Sequence, residues 1–216
     1  MHFLNKLRFA INYLGPFSSI FWILIFTPLY LSYFGKDQWS VIGIMSLLQP
    51  LSYIFLFGAG HLITREIVKI KNKFYSEKIY KSYLDLQNKL FLKAVILFFI
   101  LLVVLTIFKN FKYDFDYSIL TLTILSLIIS IKIIEIYYFA TLTGLKDFYY
   151  FNILQSLFAF LKWGGSYIII IIFNLQILEF LYIYFLLSII QSILLKKRIN
   201  FLLGEIKIPE KKYSFS

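Results

Sequence analysis

Six long runs of apolar residues, separated by short polar stretches, dominate the sequence. A helix that crosses a bilayer needs about 20 mostly apolar residues, because the hydrocarbon layer is roughly 30 Å thick and each residue rises about 1.5 Å. The runs predict spans over 11–34, 39–61, 92–108, 117–142, 151–173 and 178–195. Stretches such as Ile168 to Phe173 are apolar on every face, which suits a helix and not the alternating strand of a membrane barrel. The expected fold is all-α and polytopic. Composition agrees: 60% of the residues are hydrophobic and mean hydropathy is +0.79, where a soluble domain averages roughly 45–50% apolar residues.

Local signals punctuate the runs. Pro16 and Pro28 lie in the first, Pro50 in the middle of the second, and Gly58 and Gly60 near its end. An interior proline kinks a helix, and a membrane tolerates it when neighbours satisfy the freed carbonyls. Lys36-Asp37, Gly144-Leu145-Lys146-Asp147 and Asn174 to Gln176 read as tight turns. Residues 65–91 change character: apolar or aromatic side chains recur at Ile67, Ile70, Phe74, Ile79, Tyr83, Leu86 and Leu90, with lysines between them. That pattern suggests an amphipathic helix on the membrane surface or a solvated connecting helix. The first run is too long for a secretory signal and no small-residue cleavage site follows it, so it is expected to remain as the first span.

The formal net charge of +11 would suggest nucleic acid in a soluble protein, but here its location decides. With the N-terminus in the cytoplasm, the inner segments hold 17 lysines and arginines, and the outer loops hold three, Lys36, Lys109 and Lys112. Basic residues favour the inner side, so both termini are expected to be cytoplasmic, which requires an even number of spans. The absence of cysteine excludes a disulfide or a Cys-based metal site, and His2 and His61 have no suitably spaced carboxylates, so no metal or other cofactor is expected. His61 reads as an interfacial residue at a helix end.

Three charges fall deep inside the expected spans, away from their ends. A lysine at mid-bilayer costs roughly 2.5–3.5 kcal/mol on insertion scales, so it normally faces a partner or a cavity. Lys132 lies about 10 residues, or roughly 15 Å, from the inner end of its span, with Glu135 one turn further in on the same face. Lys162 lies near the centre of the next span beside Trp163, Gly164 and Gly165, and Asn152, Gln155 and Ser156 occupy the cytoplasmic half of that span. Two readings stay open. Lys132 and Glu135 neutralise each other while Lys162 snorkels or caps a carbonyl, or the three line a cationic cavity whose net +1 suits an anionic head group such as a diphosphate. In the second reading Glu135 is also a candidate carrier of a coupling proton.

Several segments, in order, resemble one family. Tyr33-Phe34-Gly35-Lys36-Asp37-Gln38-Trp39-Ser40-Val41-Ile42-Gly43 is similar to the turn between spans 1 and 2 of the O-antigen and polysaccharide flippases of the multidrug/oligosaccharidyl-lipid/polysaccharide exporter superfamily. Phe57-Gly58-Ala59-Gly60-His61-Leu62-Ile63-Thr64-Arg65-Glu66 resembles the end of the family's span 2, and Tyr137-Tyr138-Phe139-Ala140-Thr141-Leu142-Thr143-Gly144-Leu145-Lys146 its exit from span 4. Lys162-Trp163-Gly164-Gly165 falls where the family often has a basic residue and small residues in span 5. The departures are Phe57 in place of a frequent Asp, no Lys or Arg in span 1 after Arg8, unlike the lipid II flippase branch, and one six-helix lobe where the family has two.

The resemblance implies a transporter of the bacterial cytoplasmic (inner) membrane and not an enzyme. It would move a lipid-diphosphate-linked oligosaccharide between leaflets, as one lobe working with a second lobe or with another copy of itself. The candidate substrate-cavity residues are Lys132, Glu135, Lys162, Gln155, Asn152 and Arg65; no catalytic or metal-binding residue is expected. Other readings are an inactive truncated product, a different exporter of the superfamily, and a membrane glycan polymerase or transferase. The last should carry a polar catalytic loop outside, whereas the outer loops offer only Lys109, Lys112, Asp114 and Asp116.

Overall fold

The computed structural model describes residues 2–50, 52, 54, 58–71, 77–111 and 118–205. Among them the chain is all helical, with α1 His2–Leu48, α2 Ala59–Lys71, α3 Glu77–Phe111, α4 Ile119–Leu145, α5 Phe148–Phe173 and α6 Ile177–Glu205. Five segments are long and apolar enough to cross a membrane: Phe17–Leu48, Lys81–Ile107, Ile119–Leu145, Phe148–Phe173 and Ile177–Gly204.

The first of these segments is not one rod. Gly35 has φ 74° and ψ 172°, a region essentially closed to residues with a Cβ. Tyr30 and Trp39 show the consequence. Nine residues apart, they would sit on opposite faces of a straight helix, since each residue turns about 100°. Their rings instead stack, with centroids 5.5 Å apart and planes 16° apart. The turn expected at Lys36-Asp37 is therefore present, one residue earlier.

Span 2, expected over 39–61, is not a continuous helix. α1 stops at Leu48, before a turn at Gln49-Pro50, and α2 restarts after Gly58, which has φ 71°. Proline lacks an N–H and disfavours a helical conformation at the residue before it. The broken segment nonetheless follows α4 in the same direction. Ser52 Oγ donates to the Ile129 carbonyl at 2.9 Å, Thr64 Oγ1 to the Ala140 carbonyl at 3.0 Å, and Lys71 Nζ to the Leu145 carbonyl. Close contact at the far end requires Gly144: a Cβ there would lie 2.7 Å from Ile67 Cγ2 and 2.9 Å from the Thr64 carbonyl oxygen.

The amphipathic helix expected over residues 65–91 is described in two pieces. The stretch is divided between the end of α2 and the start of α3, with 72–76 outside the described residues. From residue 77 nothing breaks the helix, so α3 runs well beyond the expected 92–108. Tyr83, Leu90 and Leu97 fall at heptad spacing and, with Ala94, Leu101 and Leu105, make one buried face. The opposite face is as apolar: Val95, Phe99 and Val103 are each more than half exposed. A helix apolar all round, with one side unburied by protein, matches an apolar solvent.

α4 begins at Ser118, whose side chain accepts the Thr121 N–H at 3.1 Å, and ends with Lys146 in a left-handed conformation. The reversal after α5 uses Asn174, also left-handed. Buried hydroxyls return to their own helices: Ser126 Oγ to the Leu122 carbonyl, Ser130 to Ser126, Thr141 to Tyr137, and Ser188 to Tyr184. Such back-bonding satisfies polar groups where no water is at hand.

Candidate functional site

The three charges predicted inside the spans converge. Lys132 Nζ lies 2.6 Å from Glu135 Oε2, and Lys162 Nζ lies 3.3 Å from Glu135 Oε1, so each carboxylate oxygen holds one lysine. The two lysines come from different helices, α4 and α5. Lys162 also donates to Gln191 Oε1 of α6 at 2.9 Å and sits 5.0 Å from the centroid of the Tyr184 ring. Gln49, at the end of α1, hydrogen-bonds Tyr184. Four stretches of chain thus meet at one point.

That point is at mid-height. Lys132 has thirteen residues of α4 on each side, and Gln191 has fourteen of α6. At about 1.5 Å per residue the cluster is roughly 20 Å from either end of these helices. The side chains of Glu135 and Lys162 are 7% exposed, whereas that of Lys132 is 32% exposed. The cluster is closed around Glu135 and opens at Lys132.

A π turn over Leu161–Gly165 carries Lys162. There the Ser166 N–H reaches back five residues to the Leu161 carbonyl, which widens the helix locally. α1 packs directly on this turn. The Tyr30 hydroxyl donates to the Trp163 carbonyl at 2.7 Å, and a Cβ added to Gly164 would lie 3.0 Å from Phe26 Cζ. Tyr30, Phe34, Trp39, Trp163, Tyr167 and Phe180 form a continuous aromatic layer between the cluster and the Gly35 and Asn174 turns.

Three of the other candidates lie elsewhere. Asn152 and Gln155 pack against Gly15 of α1: a Cβ at Gly15 would lie 2.6 Å from Asn152 Oδ1 and 3.1 Å from Gln155 Oε1. They are seven to ten residues along α5 from Lys162, roughly 10–15 Å, and serve a close helix–helix contact. Arg65 is exposed and pairs at 3.2 Å with Glu66, which Lys69 also holds at 3.0 Å. Burial pushes the Glu66 carboxyl up, but hydrogen bonds and charge from Lys69 and Arg65 outweigh it and leave the group below the usual carboxylate range. Sequence reasoning missed Gln191, Tyr184 and Gln49. The available signal was Gln191 itself, an amide in the apolar run FLLSIIQSILL, seven residues from Tyr184 and so on the same face.

Among the described residues no group of His, Asp or Glu is arranged to hold a metal ion. Fold and site together define an all-helical chain with several membrane-length apolar helices and a buried ion cluster at their mid-level. No protein-family model, curated protein or solved structure matches it.

Proposed function

We propose that this chain is a lobe of a bacterial inner-membrane transporter that moves an anionic, lipid-diphosphate-linked oligosaccharide between leaflets, as an O-antigen or polysaccharide flippase does. The observation that carries this reading is the Lys132–Glu135–Lys162 cluster, a net +1 at mid-height with one lysine open. A purely structural role would need only the Lys132–Glu135 pair, which is already neutral; the second lysine adds a charge that costs free energy unless something negative uses it.

In this reading the chain crosses six times with both termini in the cytoplasm. The break at Gly35 separates the first two crossings, and the parallel placing of Ser52 and Thr64 along α4 supports counting the second as a crossing of its own. The excess of lysine and arginine on one side supports the orientation. A full translocation path needs a second lobe rocking against this one around the site. The chemistry is transport and not catalysis.

The test is complementation in a bacterium that lacks its O-antigen flippase and carries the glycan pathway belonging to this chain. Restored surface polysaccharide, lost again with Lys162→Ala at equal membrane abundance, is the expected result. No restoration, when the chain and each candidate partner lobe are present in the membrane, would count against the reading.

A further inference from the structure

The charges at the cluster determine what enters with the anion. The site is the one described above, and its ligand chemistry rests on the transport reading. Lys132, Glu135 and Lys162 sum to +1. A monoanion brings the site to zero. A dianion brings it to −1, an uncompensated charge in a place where Glu135 and Lys162 are almost fully enclosed. Uncompensated buried charge is expensive, and a carboxylate in that position takes up a proton instead. With Glu135 neutral, two lysines meet a dianion and the sum returns to zero.

We infer that this site takes a phosphate-class dianion together with one proton, and that Glu135 is the group that carries the proton. The dianion accepts hydrogen bonds from both ammonium groups, each of which has three donors. Glu135 gives up its hold on them, takes one proton from solvent and becomes a neutral acid. A diphosphate diester, with one ionised oxygen on each phosphorus, is such a dianion. By linkage, each ligand then raises the affinity for the other.

The surroundings of Glu135 leave it as the group that must respond. From α4 the charged neighbour is Lys132, from α5 Lys162, and from α6 the Tyr184 phenol and the neutral Gln191. The end of α1 brings the neutral Gln49, bonded to Tyr184. α2 meets α4 through Thr64 at the level of Ala140. α3 brings Tyr83 to Tyr137, two residues beyond Glu135 and about 200° around the helix.

The experiment uses the purified full chain in nanodiscs between pH 5 and 7.5, with calorimetric binding of sulfate and nitrate, whose charges stay at −2 and −1 over that range. Sulfate affinity should rise as pH falls, by up to about tenfold per pH unit for one linked proton, while nitrate affinity stays flat. Glu135→Gln should bind sulfate with the slope removed, and Lys162→Gln should weaken both anions. Should Glu135→Gln fail to fold, the contrast between the two anions on the unaltered chain decides the matter alone. A short-prenyl diphosphate sugar with the same slope but tighter binding than sulfate names a lipid head group as the source; equal affinity names a free anion, and either supports the site. A flat sulfate profile, with binding still dependent on Lys162, overturns the linked proton and leaves the transport reading standing. No binding of sulfate or of the prenyl diphosphate sugar overturns both.

Discussion

The Tyr30 hydroxyl of α1 donates its hydrogen bond to the carbonyl of Trp163, the residue that follows Lys162. The bond joins two points 133 residues apart and fixes α1 to the π turn that carries the buried Lys162. Tyr30 is fully buried, so the carbonyl has no water to replace the hydroxyl. Tyr30→Phe keeps the ring packed against Trp39, Trp163 and Phe180 and removes only the donor. It should cost about 1–3 kcal/mol, read as a lower melting temperature in detergent, while Tyr30→Ala should cost more, about 3–5 kcal/mol.

Removing the members of the ion cluster should not be equivalent. Glu135 answers two lysines, so Glu135→Leu leaves Lys162 buried without its counter-charge and should cost about 3–5 kcal/mol. Lys162→Met leaves Glu135 still paired with Lys132 and should cost less. Lys132, a third exposed, should matter least for stability. The double variant Glu135→Leu with Lys162→Met should be more stable than Glu135→Leu alone, a reversal that thermal melts of the four proteins would detect.

Gly35 should resist any side chain for reasons of backbone and not of space, because nothing lies within 4 Å of a Cβ built there while φ is 74°. Gly35→Ala is expected to cost about 1–3 kcal/mol. The same break yields a topology test. The chain contains no cysteine, so Lys36→Cys supplies a single thiol. Labelling by a membrane-impermeant maleimide in intact cells is the expected result, and labelling solely after lysis would reverse the proposed orientation.

Glu66 should make stability depend on pH. Its carboxyl is held below the usual range because hydrogen bonds and charge from Lys69 and Arg65 outweigh the effect of burial. A depressed carboxyl stabilises the fold above its unfolded value of about 4.3, and the contribution is lost as pH falls through the lower folded value. Glu66→Gln should therefore melt below the parent at pH 7, and the gap should close as the pH is lowered past about 4.

The ends of α4 and α5 were legible in the sequence within about three residues, because chemistry marks them. Ser118 caps one end of α4, a left-handed residue closes the other, and Asn174 closes α5. Lys132, Glu135 and Lys162 were legible because a charge in an apolar run needs a partner, and few partners exist. The contacts of Gln191, Tyr184 and Gln49 were not, since they depend on how three segments rotate against one another. The contact of Asn152 and Gln155 with Gly15 was hidden for the same reason: polarity in a span marks a helix contact as readily as a cavity. The helical stripe through Tyr83 and Leu90 was legible before 92, but its lysines read as the end of a surface helix and not as the first turns of the spanning one.

The sharing of Glu135 between two helices also orders how the chain enters lipid. α4 carries Lys132 together with Glu135 and is internally neutral, so it can settle in the bilayer by itself. α5 carries Lys162 with no acid of its own between Phe148 and Phe173. Its counter-charge is already waiting on the preceding helix, two residues of tight turn away at Lys146-Asp147. The pairing therefore favours insertion of α4 and α5 together, as a hairpin whose one unmatched lysine already has its acid.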